Sequence, residues 1–182
     1  MLRPFIACLL LLAVPTTATA SDDGEWFAQV EGNVSIFSVA QDKSLLASQF
    51  GYGFNGGYRW GGRWAAYLRV EHNMWLALAN ELEVVTGAVN VGLGGEFVFA
   101  DGLMRTAIAM GPSILAFDSA LDEAGEVGFF LDVRTLGLRW SVHDHVVVGL
   151  DPLTFALVMP VLGGIPIIEV QYRTSVYVEG HF

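Results

Sequence analysis

The sequence predicts an all-β fold: an eight-stranded antiparallel up-and-down β-barrel that crosses a membrane after a signal peptide is cleaved. Three observations carry this. Apolar and polar residues alternate with period two over most of the chain, as in a strand whose two faces meet different surroundings. Charged residues make up 15% of the 182 residues against 53% hydrophobic, with 21 Gly and 12 Phe, whereas soluble domains carry roughly 25% charged residues. The basic residues also fall almost entirely inside the alternating segments rather than between them.

The segment 1–20, MLRPFIACLLLLAVPTTATA, places Arg3 before an apolar run and closes on small residues at Ala18–Thr19–Ala20. This is the pattern of a signal peptide cut after Ala20. It leaves one domain, 21–182, of 162 residues (182 − 20), whose charge is 8 − 19 = −11 without Arg3. Reading Cys8 as a lipoprotein cysteine would leave almost no hydrophobic segment before the cut. Since Cys8 is the only cysteine, the mature domain has neither disulfides nor thiol chemistry. An acidic chain without a basic stripe excludes nucleic acid as a partner.

The first strand sets Trp26, Ala28, Val30, Gly32, Val34 and Ile36 against Gln29, Glu31, Asn33 and Ser35. The second opposes Phe50, Tyr52, Phe54, Tyr58 and Trp60 to Gly51, Gly53, Asn55, Gly57 and Arg59. Gly61–Gly62 turns it into a third, with Trp64, Ala66, Leu68 and Val70 against Arg63, Tyr67, Arg69 and Glu71, a hairpin with a glycine turn. The fourth runs from Val85 to Phe99 with Asn90, Gly92, Gly94 and Glu96 on its polar face, and ends at Asp101–Gly102. The fifth spans Leu103 to about Leu115. The sixth begins at Val127 and changes parity, which predicts a β-bulge near Thr135. The seventh, about His145 to Leu157, is interrupted by Asp151–Pro152. Val146 to Ile168 approaches the length of a membrane helix, but Pro152, Pro160, Pro166 and Gly163–Gly164 break it, and each interior proline costs a helix about 3 kcal/mol. The eighth alternates from Ile168 to Phe182. Short turns at 61–62, 100–102 and 141–145 then alternate with longer loops at 40–47, 75–83, 116–126 and 158–165, as in outer-membrane barrels.

Apart from Lys43, every mature basic residue lies within or at the end of a strand on the polar parity: Arg59, Arg63, Arg69, Arg105, Arg134, Arg139 and Arg173. Glu31, Glu71, Glu96, Asp132, Asp151 and Glu169 share that parity. Arginine pairs bidentately with carboxylates, so the pattern predicts an ion-paired lumen inside an apolar outer wall. Trp26, Trp60, Trp64, Trp75, Trp140 and Tyr172 sit near strand ends, where aromatic girdles form. The alternative is a soluble sheet with its charges on the wet face.

Alternation, signal peptide and a last strand running through Tyr172, Val176 and Val178 to Phe182 together resemble the small eight-stranded outer-membrane barrels of Gram-negative bacteria, the OmpA/OmpX type. The resemblance covers the mature chain and rests on architecture. It implies residence in the outer membrane, contact with its lipid and lipopolysaccharide, and a terminal strand read by the barrel-assembly machinery through Tyr172, Val176, Val178 and Phe182.

Catalytic and metal signals are weak. His143–Asp144–His145 falls in a turn without a further ligand in sequence. His72 lies on the apolar parity, and His181 adjoins the terminus. Some small barrels modify lipid A, which would need Ser, His and an acid at the outer rim; Ser113 or Ser119 with Asp118 lacks a neighbouring His. Asp118, Asp122, Glu123 and Glu126 in one loop and Glu81 and Glu83 in another could hold divalent cations through oxygen, or simply solvate the loops. The apolar stretch Met159–Pro166 could fold over the barrel mouth or meet a partner. The resulting expectation is a non-enzymatic barrel, without cofactor or resident metal, acting in envelope structure or surface interaction. The alternatives are a narrow carrier for a small or apolar ligand, favoured by inward Gly51, Gly53, Gly57, Gly92 and Gly94, and a lipid A deacylase-like enzyme.

Overall fold

The computed structural model describes residues 24–39, 42–75, 85–117, 126–162, 164–166 and 168–182. The expected signal peptide lies outside them. So do Glu81, Glu83, Asp118, Ser119, Asp122 and Glu123, and the side chains of Lys43, Trp75 and Glu126. Eight long strands are present: β1 Glu25–Val39, β2 Asp42–Trp60, β3 Trp64–Trp75, β4 Val85–Phe99, β5 Met104–Phe117, β6 Glu126–His143, β7 Val146–Leu162 and β8 Glu169–His181. Each pairs antiparallel with the next, and β8 pairs with β1, which closes the sheet into a barrel without a free edge.

The register fixes the tilt. Val146 pairs with Gly180, and the ladder then runs through Ala28, Gly56, Leu68, Leu93, Met110 and Leu131 to return on β7 at Leu157, eleven residues along (157 − 146 = 11). In an eight-stranded barrel such a stagger inclines the strands by about 40°.

Two connections differ from expectation. β2 begins at Asp42, which pairs with Val39, so the loop expected at 40–47 is mostly strand. β7 continues through Met159 and Pro160 to Leu162, and a two-residue strand, Ile165–Pro166, folds back on it through Leu162↔Ile165 and Val161↔Pro166. The apolar stretch near the mouth is therefore a hairpin. Pro160 is accommodated because the β6–β7 ladder is irregular there, between Glu126 and Phe129, the kind of position that tolerates a missing N–H.

The bulge expected near Thr135 is present: Ala107 pairs with Arg134 but Arg105 with Gly137. A second irregularity, between Asp151 and Thr154, absorbs Pro152. Side-chain parity reverses at both. Asp132 and Arg134 point inward before the first, Gly137 and Arg139 after it; Asp151 points inward before the second, Thr154 and Ala156 after it. Without the bulges, half of each strand would present its charges outward.

Candidate functional site: the ion-paired lumen

A bilayer inverts the usual arrangement of polar and apolar residues, and the barrel shows that inversion. Val30, Phe54, Leu68, Leu93, Ile108, Phe155, Val176 and Val178 are exposed on the outer wall, whereas arginines and carboxylates are among the most deeply buried side chains. Arg59, Arg69, Arg105, Arg134 and Arg173 are each only 1% exposed. In water this would cost the desolvation of every charge; in a bilayer the alternative, charges facing hydrocarbon, is worse.

Around the lumen, every arginine but Arg139 spans carboxylates from different strands. Nearest the end that carries both termini, Arg59 on β2 donates to Glu179 on β8 at 2.9 Å and to Glu96 on β4 at 2.7 Å, and Arg139 on β6 meets the same Glu179 at 2.5 Å. Above them Arg105 donates to both oxygens of Asp151, at 3.0 and 2.5 Å, and to Glu96 at 2.8 Å. Its guanidinium lies 3.6 Å from the centre of the Tyr177 ring, close enough for a cation–π interaction. Arg134 touches Asp132 at 3.1 Å, Asp151 at 2.8 Å and Glu31 at 2.9 Å. Arg69 holds Glu31 and Glu71, at 2.5 and 2.6 Å. Arg173 reaches from β8 to Glu71 at 2.6 Å and Asp132 at 3.4 Å. Gln29 and Asn55 donate to Glu31, and Asn73 to Glu71.

Six arginines thus face six buried carboxylates, Glu31, Glu71, Glu96, Asp132, Asp151 and Glu179. Two positions differ from the sequence reading. Arg63 is exposed in the β2–β3 turn, because β3 begins only at Trp64, one residue after it. Glu169 lies in the lumen, but Gln49 and Gln171 hold its carboxylate through their amides, at 3.2 and 2.7 Å, while Arg173 turns to Glu71 and Asp132. Glu179 was missed although it stands on the polar parity of the last strand. Tyr67 and Tyr177 are buried on the inward parity where the alternation puts them, whereas the contribution of Phe130 to the interior was missed.

Those rings explain the inward glycines. A Cβ at Gly94 would collide with the Tyr67 ring, one at Gly57 with the β3 chain at Ala66 and Tyr67, one at Gly92 with the β5 backbone and Phe130, one at Gly149 with Tyr177, and one at Gly137 with Asp151 and Arg105. The space that these glycines leave is occupied by large neighbouring side chains, so they do not mark a channel.

Tyr172, Val176 and Val178 face outward, and Phe182 exchanges two backbone hydrogen bonds with Trp26 at the β8–β1 seam, at 3.0 and 3.1 Å. At the same end Trp26, Tyr58 and Trp60 form one aromatic row and Trp64, Phe97 and Phe99 another, side by side where Trp60 pairs with Trp64 on the β2–β3 ladder. His143 and His145 are exposed in the β6–β7 turn with rings 6.3 Å apart. His181 contacts Glu25 at 2.8 Å. Ser113 is buried in the lumen wall.

No family model and no curated protein matches the chain. Solved structures do. Neisserial surface protein A superposes with a TM-score of 0.68 at 13% identity, covering 86% of this chain and 97% of that one. Ail, the attachment invasion locus protein of Yersinia pestis, does so with a TM-score of 0.50 at 11% identity, covering 88% and 99%. The chain therefore has the all-β fold of the small eight-stranded outer-membrane barrels.

Proposed function

We propose that the chain is a non-conducting integral protein of the bacterial outer membrane, acting in envelope structure or surface interaction through its outer face and loops. The observation that supports this most is the lumen. An eight-stranded barrel is only wide enough for its own side chains, and here salt-bridged arginines and aromatic rings fill it from wall to wall. The similarity to Neisserial surface protein A, and to Ail, named an attachment invasion locus protein, points the same way. Segment 1–20 acts as the signal peptide, the β8 residues Tyr172, Val176, Val178 and Phe182 serve as the assembly signal, and lipid and lipopolysaccharide surround the wall.

Planar-bilayer recording tests the reading. The purified barrel should insert, show heat-modifiable migration on gels and give no steady conductance; a stable open level of nanosiemens size would overturn it. Against the carrier alternative stand the groups that abut the inward glycines, Asn33 and Asn73 at Gly51 and Tyr67 at Gly94 among them; unchanged solute uptake in a deletion strain is the expected result. For the enzyme alternative, the expected result is unchanged lipid A mass spectra in cells with and without the protein.

A further inference from the structure

We propose that His72 and Tyr52 form a contact site on the outer wall for the phosphate of an outer-leaflet lipid. Among the described side chains, His72 is the one imidazole or charged group on the outward face of the strands; its neighbours there include Val70, Phe50, Met74 and Val89. It is paired with Tyr52 on β2: His72 Nδ1 and the Tyr52 hydroxyl are 3.1 Å apart, and the rings meet edge to face at 5.4 Å.

Proton counting shows why the pair is incomplete. A neutral imidazole carries one N–H and the phenol one O–H. If the hydroxyl donates to Nδ1, the Nε2–H is left over; if Nδ1–H donates to the hydroxyl oxygen, the O–H is left over. In either tautomer one donor has no protein acceptor among the described residues. An unbonded polar hydrogen facing lipid is costly, so the acceptor comes from the surroundings.

Depth says which surroundings. His72 is eight residues along β3 from Trp64 (72 − 64 = 8), which sits in an aromatic row at the terminal end. With a rise of roughly 3.3 Å per residue and a tilt of about 40°, the pair stands ~20 Å above that row. The short turns lie at the terminal end, which in such barrels is the periplasmic end, and their apolar band is about 25 Å tall. This puts the leftover donor near the outer interface, where lipid phosphates begin.

The inference rests on the membrane reading, and the experiment separates the two. Protein with isotope-labelled histidine is inserted into phosphatidylglycerol vesicles, and phosphorus-to-imidazole dipolar dephasing is measured by solid-state NMR, with the His72 signal assigned by its loss in His72→Asn. Dephasing at His72 is expected, and a clear reduction in Tyr52→Phe. Failure to insert would count against the membrane reading. An inserted, heat-modifiable barrel with no dephasing at His72 would overturn the site alone, as would undiminished dephasing in Tyr52→Phe. Equal dephasing in uncharged detergent with inorganic phosphate would overturn the lipid as the source.

Discussion

Arg105 on β5 donates from Nη1 to the side-chain oxygen of Gln29 on β1, 2.9 Å away. These strands stand four places apart in a ring of eight, so a single side chain crosses from one wall to the opposite one. At that level Arg105 therefore spans the lumen, holding Asp151 on β7 and Glu96 on β4 as well.

The bridging charges depend on one another. Arg134 alone holds carboxylates from β6, β7 and β1, and removing one partner of a buried pair costs about 3–5 kcal/mol because the other charge stays buried. Arg134→Ala should lose a comparable amount in urea unfolding from lipid vesicles. Ser113→Ala is the contrasting case: its hydroxyl is equally buried yet has no hydrogen-bond partner, so the change should stay within about 0.5 kcal/mol of wild type. Similar losses for both would mean that the ion pairs do not hold the lumen together.

Gly149 and Tyr177 should behave as one unit. They pair across the β7–β8 ladder, and the Tyr177 ring covers the position where a Gly149 Cβ would stand. Gly149→Ala should destabilise by about 1–3 kcal/mol through overpacking. Combined with Tyr177→Leu, the added methyl should meet far less resistance, giving a coupling of roughly 0.5–3 kcal/mol in a double-mutant cycle. Additive losses would place the ring elsewhere.

The two bulges leave backbone carbonyls on the outer wall, where hydrocarbon offers no donor. Hydroxyls satisfy them: Tyr172 donates to the Pro152 carbonyl at 2.7 Å, Thr135 to Leu153 at 2.9 Å and Thr106 to Arg134 at 2.8 Å. Leaving such a group unpaired costs about 1–3 kcal/mol. Thr135→Val should lose stability in that range and Tyr172→Phe less, because the Thr174 hydroxyl stands 3.5 Å from the same Pro152 carbonyl, while Tyr58→Phe, whose ring packs on Trp26 and Trp60, should change little.

The same bulges mark the limit of what could be read from the residues. Alternation places the strands and the inward arginines, because period two converts directly into facing. The parity change in β6 exposes its own bulge, since Val133 and Leu136 are both apolar and outward. In β7 the residues on both sides of Asp151–Pro152 are apolar, so no contrast reports the phase. Pairing across the lumen is not legible at all. It depends on which heights the tilt brings together, and that is how Glu169 comes to lie beside Gln49 and Gln171 rather than an arginine. Glycine is ambiguous for the same reason: its missing side chain signals space but not what fills it.

The facing of the wall can be tested directly at mid-height. Leu93 is 71% exposed and Val176 59% exposed. The closing ladder runs through Leu93 itself and places Val176 opposite Leu150, well inside the apolar band. An arginine at such a depth costs about 2–4 kcal/mol, and less toward the interfaces. Val176→Arg and Leu93→Arg should therefore each lose that much in unfolding from vesicles. Trp26→Arg, in an aromatic row at the edge of the band, should lose less to burial of charge. In detergent micelles, which deform around a charge, the mid-height penalties should shrink. A soluble barrel with a wetted wall would show neither the depth dependence nor the vesicle dependence, so equal and small losses at Leu93, Val176 and Trp26 would place this wall in water.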